Sequence, residues 1–157
     1  MLFRSRFTVA DVPGLIPGAS SGKGLGLEFL RHVERCAALV HVLDCGALES
    51  DRDPLKDFEI IESELRNYSA DLSDRPRLIA LNKIDLPDGK AIADMVEPEF
   101  KKRGFEVFKI SAAARIGLSE LLFAMAKTVN EYRASQSKEE KVRIVLRPTP
   151  IDDRGFQ

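Results

Sequence analysis

Cysteine is scarce in this chain. Cys36 and Cys45 are the only two in 157 residues, too few for a disulfide framework or a cysteine-built metal cluster. They read as small apolar residues packed inside a protein of a reducing compartment. Long apolar runs are missing: none comes near the ~18 residues of a membrane-crossing helix, so no membrane span is expected. The opening residues, MLFRSRF, lack the apolar core of a signal peptide, and the expected location is cytoplasmic. Neither sign of charge dominates. Lys plus Arg number 24 and Asp plus Glu 25, for a net charge of −1. A chain that grips nucleic acid by bulk charge would be basic, although a local basic patch is still allowed. What is present is globular composition, 44% hydrophobic and 31% charged, at a length suited to one ordinary domain.

Short apolar runs alternate with longer amphipathic ones. Residues 7–11 (FTVAD), 38–44 (ALVHVLD), 77–82 (RLIALN) and 107–110 (VFKI) read as strands. Apolar residues at nearly every position mark a parallel strand covered on both faces. Residues 25–35, 54–68, 90–103 and 118–132 read as helices. The second has Pro54 in its first turn and Phe58, Ile61 and Leu65 at helical spacing. The third is closed by Gly104. The fourth puts Leu121, Leu122, Met125 and Val129 on one face. Strand and helix alternating in this way predict an α/β fold with a parallel sheet flanked by helices. Residues 1–134 are expected to form one partial domain, 135–141 (SQSKEEK) a polar linker, and 142–157 the start of a further domain.

In an open parallel sheet, ligands sit at the carboxyl ends of the strands. Three of the expected strands end in telling residues. The first runs into Asp11-Val12-Pro13-Gly14, the third into Asn82-Lys83-Ile84-Asp85, and the fourth into Ser111-Ala112-Ala113. DxxG, NKxD and SA in this order form the set that selects guanine nucleotides. Guanine offers two donors on one edge, N1–H and the 2-amino group. The Asp85 carboxylate can accept both as a charge-assisted pair, each bond worth roughly 1.5–3 kcal/mol. Adenine lacks the 2-amino group and has no proton at N1. Asn82 can tie loop and base together, and the stem of Lys83 can cover the face of the base. A backbone N–H around Ala112 can donate to guanine O6, where adenine carries an amino donor. Asp11 is suited to Mg²⁺ through a water, and the N–H of Gly14 can approach a γ-phosphate closely.

Two other motifs fail on spacing. GASSGKG at residues 18–24 resembles a phosphate-binding P-loop, but its glycines are one residue too close and Lys23 is followed by Gly24. GKGLG resembles a dinucleotide fingerprint, but Leu27 stands at the last glycine position. His32 and His41 have no nucleophile or metal ligand at a useful spacing and are expected to be structural. The acidic run 49–53 reads as a solvated loop ahead of a helix, and Arg4, Arg6, Lys101, Lys102 and Arg103 as scattered surface charge.

These residues also carry a family resemblance. ADVPGLIPGASSGKGLGLEFLRHVERC, LVHVLDC, RDPLKDFEIIESEL, LNKIDLP and RPTPIDDRGF resemble an Obg-family GTPase, most closely its actinobacterial members. The resemblance runs over nearly the whole chain. It implies a P-loop GTPase-like sheet, binding of GTP and GDP with Mg²⁺, slow GTP hydrolysis, and partnership with the large ribosomal subunit or its rRNA during assembly and stress. It assigns nucleotide contact to Asp11, Val12, Pro13, Gly14, Asn82, Lys83, Ile84, Asp85, Ser111, Ala112 and Ala113, and metal contact through water to Asp11. Leu15 stands where Ras-like GTPases keep a water-orienting glutamine, so no catalytic residue is assigned. The family's P-loop, first helix and first switch have no counterpart before Phe7. The chain is therefore expected to be a truncated member with an incomplete sheet, marginally folded and unable to hydrolyse GTP alone. The alternative is a non-catalytic module that binds guanine nucleotide or the ribosome. A dinucleotide-dependent oxidoreductase is a distant third.

Overall fold

The computed structural model of the chain describes residues 6–11, 31, 33–46, 53–69, 72 and 74–139. Three strands and three helices alternate: β1 (Leu39–Asp44), α1 (Pro54–Tyr68), β2 (Arg77–Asn82), α2 (Pro87–Lys102), β3 (Glu106–Lys109) and α3 (Leu118–Glu139). The strands form one parallel sheet in the order β1-β2-β3, in register from Leu39 against Arg77 to Asp44 against Asn82. The fold class is the α/β architecture that the alternation predicts.

The central strand explains the layering. Ile79 and Leu81 of β2 face one way and pack with Phe58 of α1 and with Ala93, Val96 and Phe100 of α2. Leu78 and Ala80 face the other way and pack with Leu121 and Ala124 of α3. All four are buried on both sides of the sheet, as a continuous apolar run in a parallel strand requires. Phe58 is the hub on its side, its ring set edge-on to Phe100 and Phe105. Asp53 caps α1 by accepting the Leu55 N–H at 2.9 Å, and Pro54 opens the helix. Gly104, at φ 90° just beyond α2, closes that helix as expected.

Four details differ from the sequence reading. Residues 7–11 form no strand: they are irregular and largely exposed, with Val9 62% accessible. A strand exists only with a hydrogen-bonded neighbour, and no described strand pairs with them. The helix expected from residue 90 starts at Pro87, which lacks an N–H and so suits a first helical position. Leu122 is 51% exposed; the buried stripe of α3 passes through Leu121 and Ala124 instead. Finally, α3 continues to Glu139, through residues read as linker. Adding residues to an existing helix is easy once it is nucleated, and Gln, Lys and Glu favour helix.

Candidate functional site

Parallel strands end on one side, so the loops after Asp44, Asn82 and Lys109 gather at a single rim of the sheet. Asn82 is the node between them. Its backbone carbonyl accepts the Cys45 N–H at 3.1 Å, and its side-chain Oδ1 accepts the Ala112 N–H at 3.1 Å. Further bonds lock the rim: Ile110 N–H donates to Leu81 at 2.8 Å, and Ile84 N–H donates to Ile110 at 3.2 Å.

The turn from Asn82 to Leu86 is tight. Lys83 has φ 71°, a left-handed backbone that few side chains favour. Its carbonyl accepts the Leu86 N–H at 3.1 Å and lies against Gly89 in the first turn of α2. This places Asp85 on the exposed side of the turn, with no partner for its carboxylate among the described residues. No described residue occupies its lone pairs. Ile84 packs its side chain down against the Phe58 cluster, which anchors the turn from below.

The third loop is self-supporting. Ser111 and Ile116 exchange backbone hydrogen bonds at 3.0 Å, and Ser111 Oγ accepts the Ala114 N–H at 3.0 Å. Ser111 is fully buried, and its contacts among the described residues brace the loop. Ala112 and Ala113 are exposed. The Ala112 N–H is engaged by Asn82, whereas the Ala113 N–H has no partner among the described residues.

Sequence reasoning missed one member of this rim. Asp44, at the end of β1, accepts the Gly46 N–H on Oδ1 at 2.8 Å and meets Lys83 Nζ on Oδ2 at 2.6 Å. Its place at a strand's carboxyl end was the available signal. Next to it the Cys45 thiol is pushed up to about 11, by burial first and by the Asp44 charge second. It stays protonated at neutral pH and is a poor nucleophile.

The expected rim residues Asn82, Lys83, Asp85, Ala112 and Ala113 thus come together. Asp11 is described and exposed but belongs to no strand end. Val12, Pro13, Gly14, Leu15, the glycine-rich segment 17–26, His32, residues 49–52 and the tail from residue 140 lie outside the described residues. Among the described residues no group of three or more His, Cys, Asp or Glu could hold a metal ion; Mg²⁺ takes few protein ligands beside phosphate and water, and the exposed Asp11 carboxylate is of the type that it takes. No described helix is long and apolar enough to cross a membrane. His41 is buried beside Glu62 of α1, as a structural histidine should be.

A family model described as 50S ribosome-binding GTPase matches residues 2–83, more than half of the chain. The match includes Asn82 and Lys83 and stops before Asp85 and the loop at Ser111.

Proposed function

We propose, for a chain that belongs to the 50S ribosome-binding GTPase family, that the rim at Asn82–Asp85 and Ser111–Ala113 is the guanine seat of an Obg-type GTPase. The observation that carries this is the division of labour at the rim. Asn82 is spent on tying the two loops together, while Asp85 projects beside them with its carboxylate uncommitted among the described residues. A free carboxylate on a rigid turn matches the paired N1–H and 2-amino donors of guanine. With the Ala112 N–H engaged by Asn82, the neighbouring Ala113 N–H is the available donor for guanine O6. The stem of Lys83 covers one face of the base. Because these groups are held before any ligand arrives, little ordering entropy is lost on binding.

GTP hydrolysis with Mg²⁺ and action on the large ribosomal subunit complete the proposal at the level of the family. The ion would neutralise phosphate charge in the reaction, with Asp11 as its water-mediated contact. What the described residues supply is selection of the base. The family model's name favours the ribosome as partner, and the absence of a basic excess, at a net charge of −1, argues that any such contact is local.

The test is equilibrium binding of fluorescent GDP to this chain, with unlabelled GDP and ADP as competitors. Displacement by GDP and not by ADP, lost in Asp85→Ala, is the expected result. Each lost charged hydrogen bond costs roughly 1.5–3 kcal/mol, so Asp85→Ala should weaken binding at least tenfold by that measure. Equal displacement by ADP, or Asp85→Ala binding like the wild type, would sink the proposal.

A further inference from the structure

We infer that Asp44 is a positioning residue for this seat: it holds the Lys83 side chain along the rim, on a track that Gly46 leaves open. The inference rests on the guanine-seat proposal and adds to it a residue from a different strand.

Four observations support it. First, the Asp44 carboxylate is itself oriented. One oxygen accepts the Gly46 N–H at 2.8 Å, which leaves the other to meet Lys83 Nζ at 2.6 Å. Second, the β1–β2 register sets Asp44 directly beside Asn82, so the pair follows from sheet geometry and not from a chance meeting of mobile side chains. Third, a Cβ on Gly46 would lie 2.7 Å from Lys83 Cδ, 3.2 Å from Lys83 Cβ and 2.9 Å from Leu86 Cδ1. The lysine stem runs through the space that the missing side chain leaves. Fourth, Lys83 occupies a left-handed backbone position that glycine would fill with less strain. The turn alone does not call for lysine there, which points to use of its side chain.

The bland explanation is a surface salt bridge that serves stability. Exposure argues against it. The Lys83 side chain is 47% accessible and that of Asp44 31%, and pairs so exposed add little to stability. A lysine stem held in one arrangement instead loses less freedom when a planar base settles against it.

GDP affinity and melting temperature of Asp44→Asn, Gly46→Ala, Lys83→Ala, Asp85→Ala and the Asp44→Asn/Lys83→Ala double variant test the inference. Asp44→Asn and Gly46→Ala should each weaken GDP binding, by about two- to fivefold as an exposed ion pair allows, with melting temperatures close to the wild type. In the Lys83→Ala background, Asp44→Asn should add nothing. Gly46→Ala needs only the lysine stem and the exposed Leu86 side chain to move, so it probes the track even if Asp44→Asn folds poorly. Wild-type affinity in both Asp44→Asn and Gly46→Ala, alongside loss in Asp85→Ala, overturns the inference and leaves the guanine seat standing. An equal effect of Asp44→Asn with and without Lys83 also overturns it. If Asp85→Ala binds as the wild type does, the guanine seat fails and takes the inference with it.

Discussion

At the scale of single residues, the rim depends on what is absent as much as on what is present. Gly89 is buried in the first turn of α2, and a Cβ there would lie 2.1 Å from the Lys83 carbonyl oxygen. That contact is with backbone, so no side-chain rotation relieves it. Helix propensity alone predicts that Gly89→Ala stabilises by about 1 kcal/mol. The close approach predicts the opposite, a loss of roughly 1–3 kcal/mol from overpacking. We expect the second, read as a lowered urea midpoint. Because the displaced carbonyl belongs to Lys83, GDP binding should weaken in the same variant. A raised midpoint would mean that the turn yields easily and is not a rigid support. The NKID pattern was plain in the sequence; the glycine three residues after Leu86 is half of what holds it, and only the packing shows why.

Among the elements, two ion-pair clusters sit at different depths, and depth decides their worth. Glu62 on α1 meets Arg77 Nε of β2 at 2.5 Å and lies 3.0 Å from His41 Nε2 of β1. Its side chain is only 13% accessible, and those of Arg77 and His41 less still. Arg77 also donates to the carbonyls of Leu72 and Arg75, both at 2.7 Å. Burial by itself would raise the Glu62 carboxyl, but the contacts from His41 and Arg77 outweigh it and hold the group below the usual carboxylate range. A carboxyl lowered in the folded state stabilises fully above its unfolded pKa and loses that contribution as pH falls through the folded value. The wild type should therefore lose stability on acidification below about pH 4.5, and Glu62→Gln should flatten that part of the profile. At neutral pH, Glu62→Gln removes the carboxylate charge beside a buried guanidinium that keeps its carbonyl acceptors, at a cost of about 3 kcal/mol. Lys109 of β3 also meets two carboxylates, Asp94 and Glu97 of α2, both at 2.8 Å, and its ammonium is pushed up to about 12 by the hydrogen bonds to Asp94 and then Glu97. Its side chain is 36% accessible, so solvent and salt screen the pair. Lys109→Met should cost less than about 1 kcal/mol. Urea midpoints across pH separate the two variants; equal losses would contradict the argument from depth.

For the whole molecule, the sheet is covered unevenly. Ile79, at the centre of β2, is wholly buried, whereas Val42 in the neighbouring β1 is 59% accessible. Both belong to apolar runs of the same kind, and the sequence reading treats them alike. Ile79→Thr should cost about 2–4 kcal/mol, since it removes packed methylenes and buries a hydroxyl. Val42→Thr should fall within about 0.5 kcal/mol of the wild type. Denaturant midpoints of the two variants test this. A large loss in Val42→Thr would show that the face is covered in solution, by another copy of the chain or by a part outside the described residues. An exposed apolar strand face is a common route to association, so light scattering belongs with the midpoints.

What local pattern could determine was considerable. Alternating apolar and amphipathic runs specified the α/β class, the 77–82 strand to the residue and the 54–68 helix with its proline start. The NKID run stands at the carboxyl end of the 77–82 strand, as the sequence predicts. The misses share one cause. Residues 7–11 have strand composition but no neighbour to pair with among the described residues, and Leu122 has helical spacing but faces away from the sheet. Neither fact is encoded in a window of neighbouring residues. The same holds at the rim. That Asn82 spends its amide on Ala112, and that Asp44 reaches Lys83, follows from the pairing of β1, β2 and β3. Sequence alone determined which residues stand at the strand ends, because periodicity along the chain is local physics. Which of them touch was decided only by the tertiary structure, because strand register brings together residues that the chain keeps far apart.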